Sequence, residues 1–206
     1  SKLKPIILST GMNDIKSISN SVKVIESYNC KLAILHCTSM YPTPYNKVRL
    51  GAISELINYF PKKVIGLSDH SLGIATSLGA VALGASIIEK HFTISRKWPG
   101  PDTGISIEPS ELKTLIKDSK NIWEARGGNK NILKEEKPVI DFAYASVVSI
   151  ADIKKGDKFS DKNLWVKRPG TGEILSEDFY KIIGKSASKD IKEGMQIKLK
   201  DIDGKI

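Results

Sequence analysis

Val64-Ile65-Gly66-Leu67-Ser68-Asp69-His70, answered by Ile87-Ile88-Glu89-Lys90-His91-Phe92, decides how this chain is read. Each stretch is a short apolar run that ends in polar, titratable residues. A β-strand sends alternate side chains to opposite faces, so Ser68 shares a face with His70, and Glu89 shares one with His91. If the two runs are neighbouring parallel strands, their ends bring His70 and His91 close enough to hold one metal ion. The third histidine, His36, closes a similar run, Leu32-Ala33-Ile34-Leu35-His36. One strand-end histidine is usually a residue satisfying local hydrogen bonds. Three placed alike point to a site.

Working outward, residues 5–10 read as a buried strand that runs into Gly11. Asn13 is placed to cap a helix carrying Ile15, Ile18, Val22 and Ile25 at helical spacing. After the strand ending at His36, the segment Cys37 to Tyr45 holds two prolines and reads as a loop. A helix using Leu50, Ile53, Leu56, Ile57 and Phe60 is stopped by Pro61. The strand at 64–68 leads into Leu72 to Gly84, an apolar, Ala- and Gly-rich helix suited to close packing. The fourth strand, 86–92, is followed by a loop from Trp98 to Thr103. Its Asp102 reads either as a turn residue or as part of a site. Pro109 suits the first turn of a helix with Leu112, Leu115, Ile116, Ile122 and Trp123 on one face.

Four consecutive strand–helix units predict an α/β fold with a parallel sheet covered by helices. That is half of an eight-fold barrel or a small open sheet, and both place functional groups after the strands. Residues 1–126 form this domain. Residues 127–144, with Gly, Asn, Lys, Glu and Pro138 in little order, read as a linker. Residues 145–206 form a small β-rich module with runs at 146–150, 164–167 and 196–199. In it, Ala151-Asp152-Ile153-Lys154-Lys155-Gly156 is echoed by Lys189-Asp190-Ile191-Lys192-Glu193-Gly194, which suggests two pseudo-equivalent halves. At about 60 residues the module is marginal as an independent fold.

A hydrophobic content of 40% with 27% charged residues is that of a globular protein. No apolar run is long enough to span a bilayer, and no secretory leader is legible, so a cytoplasmic location is expected. Cys30 and Cys37 read as two free thiols. The net charge of +9 suits nucleic acid, an anionic surface or an anionic small substrate. The lysines are dispersed among acids with no basic arm, which argues against nucleic acid.

Taken in succession, Ile7-Leu-Ser-Thr-Gly-Met12, Leu35-His-Cys-Thr-Ser-Met-Tyr-Pro-Thr-Pro-Tyr45, Gly66-Leu-Ser-Asp-His70, Ile88-Glu-Lys-His-Phe-Thr93 and Pro99-Gly-Pro-Asp102 resemble the bacterial sialic acid synthases. Asn163-Leu-Trp-Val-Lys-Arg-Pro-Gly170 resembles their antifreeze-like SAF domain, a β-clip. The resemblance implies the C-terminal half of a TIM (β/α)8 barrel followed by that domain. It implies condensation of phosphoenolpyruvate with N-acetylmannosamine to N-acetylneuraminate and phosphate, with a divalent metal, usually manganese (Mn2+). His70 and His91 would be the metal's ligands. Ser9, Ser39, Ser68 and Glu89 would line the phosphoenolpyruvate site, and Tyr41 would touch the amino sugar. Arg168 would reach the partner's site in a homodimer whose small domain caps the other barrel. Where this chain has Ser39, many members of the family carry asparagine; serine is the shorter donor, a difference that can mark a different sugar.

The residues agree with that chemistry. A metal on two neutral imidazoles polarises an aldehyde, and Glu89 can stabilise positive character at carbon 2 or activate water. Small hydroxyls suit phosphate and carboxylate oxygens. Two other functions compete. One is synthesis of legionaminic or pseudaminic acid from a diacetamido-trideoxy hexose. The other is an inactive remnant that binds sugar or caps a subunit. With only four strand–helix units legible, the chain is expected to be part of a synthase, inactive and prone to associate when isolated.

Overall fold

The computed structural model describes residues 4–204. The outermost residues of the two expected domains, 1–3 and 205–206, therefore lie outside the described residues. The chain divides into two compact units between Gly128 and Asn129.

The first unit is a four-stranded parallel sheet in the order β1-β2-β3-β4, with β1 Ile6–Ser9, β2 Leu32–Cys37, β3 Val64–Asp69 and β4 Ile87–Lys90. Helix α1, Ile15–Ser27, joins β1 to β2. A short turn of helix, α2, Tyr45–Val48, precedes α3, Gly51–Tyr59, on the way to β3. Helix α4, Ala75–Ala82, joins β3 to β4, and α5, Pro109–Ala125, follows. Leu32, Ile34, Ile65 and Leu67 on the sheet pack against Ile18 and Val22 of α1, Ile53 and Leu56 of α3, and Ala80 of α4. The helices thus share one face of the sheet. The opposite face carries Ser9, Cys37, Ser68 and Glu89 at the strand ends. An open doubly wound sheet has helices on both faces, so one-sided winding separates the two architectures that the strand–helix alternation left open.

Local chemistry explains the elements. Every residue of β2 is buried, as befits an inner strand. Asp14, not Asn13, caps α1, because its carboxylate accepts the Ser17 amide at 2.8 Å while Asn13 accepts from the Ser17 hydroxyl. Pro109 does open α5, inside a capping box between Glu108 and Glu111. The small residues of α4 allow close approach: Ala80 is fully buried, and a Cβ at Gly79 would stand 2.9 Å from Leu50. Leu112, Leu115, Ile116 and Trp123 of α5 line one groove, as their spacing predicts, but only Leu115 is buried, while Ile116 and Trp123 stay exposed.

In the second unit, the stretch expected as linker carries a helix, α6, Lys137–Ala143, with Pro138 in its first turn. Strands β5, Ser146–Ser149, and β6, Leu164–Lys167, pair antiparallel. A four-residue helix, α7, Phe179–Ile182, lies near the end. The predicted run at 196–199 reduces to one bridge, Val148 to Gln196, before a 3-10 turn begins at Leu199. Val147, Phe159, Leu164, Ile174, Ile182 and Ile197 make its core.

The sequence echo has a physical counterpart. Asp152 accepts the Glu193 amide and the Lys192 ammonium, at 2.9 and 2.7 Å. Asp190 accepts the Lys155 amide and the Lys154 ammonium, at 2.9 and 3.0 Å. Ile153 and Ile191 bridge between them. Each half holds the turn of the other with the same atoms. No helix among the described residues is long and apolar enough to cross a membrane.

Candidate active site

The parallel register decides which side chains meet. Cys37 of β2 stands beside Ser68 of β3, and Ser68 stands beside Glu89 of β4. Two residues further along, His70 and His91 leave the strands on that same face. The Ser68 hydroxyl donates to Glu89 Oε1 at 2.6 Å, a short charge-assisted bond. The His70 and His91 rings stand 5.3 Å apart, edge to face. Tyr41, in the loop after β2, lies over His70 at 4.2 Å and edges His91 at 5.9 Å. Ser9, Gly11, Met12 and Ser39 complete a cleft of about 350 Å3.

Seven of the nine expected site residues line this cleft: Ser9, Ser39, Tyr41, Ser68, His70, Glu89 and His91. Asp102 does not line it, but its carboxylate lies 3.7 Å from His91 Nδ1. Arg168 belongs to the second unit, where its guanidinium sits over Phe142 at 5.9 Å. It lines a hollow there with Tyr144, Leu175 and Glu177.

His36 stands apart from the other two histidines. Alternation along β2 puts it on the helix side, buried, with Nε2–H donating to the Val48 carbonyl at 2.7 Å. Burial holds its imidazole below the ordinary value, against the pull of that bond. Its likeness to the other two ends with its sequence position.

The donor set fits a divalent cation. His70 Nδ1–H donates to the Thr38 carbonyl at 3.1 Å, which fixes the tautomer that leaves Nε2 with its lone pair. The Asp102 carboxylate stands on the Nδ1 side of His91 at 3.7 Å, beyond hydrogen-bond reach. Two imidazoles on adjacent positions of one ion hold their centroids about 5 Å apart, given metal–nitrogen bonds near 2.1 Å, and the observed spacing agrees. Among the described residues no three His, Cys, Asp or Glu side chains form a metal-holding group. Among the described residues, His70 and His91 are the two that would hold such an ion.

Several neighbours were not singled out from the sequence. Cys37 lines the cleft, 3.8 Å from His70 Nδ1; its phase, one residue past His36, is the signal that places it there. Gly11 leaves room for Ser39, since a Cβ would stand 2.1 Å from the Ser39 hydroxyl. On the helix side, directly behind the cleft, Asp69 and Lys90 form a buried ion pair at 3.2 Å. Burial works against the Asp69 carboxylate, yet hydrogen bonds from Ser77 and Thr76 and the Lys90 charge hold it below the usual carboxylate range. Burial draws the Lys90 ammonium below its ordinary value, opposed by Asp69.

Residues 1–131 match the NeuB family, and residues 144–203 match the SAF domain. An N,N'-diacetyllegionaminic acid synthase of Campylobacter jejuni is 44% identical over 194 residues, covering 92% of this chain and 58% of that protein. A pseudaminic acid synthase of the same species is 38% identical over 201 residues, covering 96% of this chain and 57% of that protein. Among solved structures, the N-acetylneuraminic acid (sialic acid) synthetase of Leptospira borgpetersenii, in complex with citrate, is 37% identical with a TM-score of 0.62. It covers 66% of this chain and 48% of that one. The chain thus spans little more than half the length of the curated relatives it matches.

Proposed function

We propose a function on the premise that the chain belongs to the NeuB family: it carries part of a synthase that condenses phosphoenolpyruvate with an N-acetylated amino hexose, releasing phosphate and a nine-carbon sugar acid. The observation that carries this reading is the convergence of Ser68, Glu89, His70 and His91 on one cleft at the strand ends. The one-sided parallel sheet is read as half the wall of a (β/α)8 barrel.

Each residue has work to do there. Glu89, its carboxylate steadied by the Ser68 hydroxyl, stabilises positive charge developing at carbon 2 of the enol or takes the proton of the attacking water. Ser9 and Ser39 offer hydroxyl donors to phosphate or carboxylate oxygens. Tyr41 presents its exposed ring to the sugar. Asp102 orients His91. A divalent ion such as manganese, held by His70 Nε2 and His91, would supply Lewis-acid polarisation of the aldehyde. Arg168 is read as reaching the site of a partner subunit in a homodimer, and the location as cytoplasmic.

The acceptor proposed first is a diacetamido-trideoxy hexose, supported by the 44% identical legionaminic acid synthase. N-acetylmannosamine is the second reading, supported by the solved sialic acid synthetase. The test is manganese-dependent phosphate release from phosphoenolpyruvate with each sugar. It is run on the 206-residue chain alone and fused to the segment of the Campylobacter relative that it leaves unmatched. Release with one sugar in tenfold preference assigns the acceptor. No release from either protein with either sugar overturns the synthase reading and leaves that of a binding module.

A further inference from the structure

The cleft has a second layer. Asp69 and Lys90 are the last rung of the β3–β4 ladder, and each immediately precedes a cleft histidine. Their side chains are 0% and 3% exposed. We infer that this buried ion pair is a positioning device, which fixes the spacing and orientation of the His70 and His91 rings from the opposite face of the sheet. The inference rests on the reading that these two imidazoles are the working groups of the site.

The pair's bonds go to the backbone that carries His70. Asp69 Oδ1 accepts the Ser71 amide at 2.8 Å, and Lys90 Nζ donates to the Ser71 carbonyl. His70 therefore sits between two residues that the pair grips. Asp69 Oδ2 also accepts the hydroxyls of Thr76 and Ser77, at 2.7 and 2.6 Å, which ties the same carboxylate to the first turn of α4. Past Asp69 the ladder of β3 has ended, and the His70 carbonyl has one further tie, the Thr43 amide at 2.9 Å. His91 hangs between Lys90 and a bond from the Ile107 amide to its own carbonyl, at 2.8 Å.

Stability alone gives little reason for this arrangement. Exchanging a buried ion pair for uncharged side chains of similar size is often neutral or stabilising. What such an exchange removes is the Lys90 bond to the Ser71 carbonyl and the charge that strengthens the Asp69 bonds, and with them the constraint on the ring next door. Groups that orient a metal-binding histidine from behind typically change metal affinity about 10–100-fold when removed.

The experiment uses the 206-residue chain with both charges removed, Asp69→Asn with Lys90→Met. Three quantities are read: the melting curve, Mn2+ affinity from the electron spin resonance signal of the free ion, and the 15N-edited spectrum of the histidine rings. The variant is expected to melt cooperatively near the wild type. Its Mn2+ affinity falls about tenfold or more, and the His70 resonances lose the single Nδ1–H tautomer set by Thr38. If the variant does not fold, Thr76→Val with Ser77→Ala, which frees one carboxylate oxygen and keeps both charges, is read for the same two changes. Mn2+ affinity and ring spectra within twofold of wild type in a folded variant overturn the inference. A fused protein that releases no phosphate with either sugar defeats the synthase reading and leaves the ring spectra to judge this one.

Discussion

Gly66 stands in the middle of β3, opposite Ile87 of β4. A Cβ built there meets the Ile87 carbonyl oxygen at 2.4 Å, Leu35 Cδ2 at 2.5 Å and Ile87 Cβ at 3.0 Å. The leucine methyl can rotate aside, but the carbonyl belongs to the sheet. Restoring an ordinary contact needs an opening of about 1 Å between β3 and β4, and a ladder bond stretched that far no longer counts as one. One or two lost bonds at about 1 kcal/mol each, with about 1–3 kcal/mol for overpacking, predict that Gly66→Ala destabilises the first unit by about 3 kcal/mol. For a unit of this size that lowers the midpoint by about 10 °C. Gly51 is the internal control. It starts α3 and has nothing within 4 Å of its would-be Cβ, so Gly51→Ala gains about 0.5 kcal/mol from the unfolded chain. The assay is a thermal melt followed by circular dichroism on both variants. A Gly66→Ala midpoint within about 2 °C of wild type would refute the packing argument, because no relaxation of side chains alone clears a backbone oxygen.

Glu89→Gln keeps an acceptor for Ser68 and removes the charge; phosphate release by the active form is expected to fall about 100-fold with an unchanged melting curve, and a loss under threefold would remove Glu89 from the chemistry. His36→Gln keeps a donor for the Val48 carbonyl but cannot take a proton. The folded chain holds His36 neutral below its ordinary 6.5, whereas the unfolded chain protonates it, so wild-type stability falls as pH drops below 6.5 toward the folded value. Urea titrations of the variant should show a shallower fall across that window, and equal slopes would exclude His36 as the source. Asp152→Asn with Asp190→Asn removes the ionic half of the reciprocal clasp on both sides of the second unit and should lower that unit's melting midpoint by more than either change alone; a midpoint equal to wild type would show the ion pairs of the clasp to be ornamental.

Much of the fold was legible because the strands are short, apolar and punctuated by Pro and Gly. Alternation alone placed Ser68 with His70 and Glu89 with His91. The same rule applied to β2 separates His36 from Cys37, and it outweighs the similarity of sequence position that grouped all three histidines. The α5 face was legible as a side but not as a surface, because helical spacing reports which residues share a side, not whether anything covers it. The helix at Lys137–Ala143 was hidden by a polar, Pro-containing stretch whose proline lies in the first turn, where it is tolerated. The Asp69–Lys90 pair was out of reach. A charged residue on a helix-facing strand position looks like an error until its partner on the next strand is known.

That pair and the clasp of the second unit are both ionic, yet the solvent reaches only one of them. Asp152, Asp190, Lys154 and Lys192 are all more than half exposed, whereas Asp69 and Lys90 are sealed under α4. Dissolved ions screen the first set over a Debye length of about 8 Å at physiological strength, shortening toward 3 Å near 1 M, and leave the second almost untouched. Raising sodium chloride should therefore pull the two melting transitions apart, the second unit softening while the first holds. Ionic strength becomes a dial that addresses one half of the molecule at a time, without a mutation.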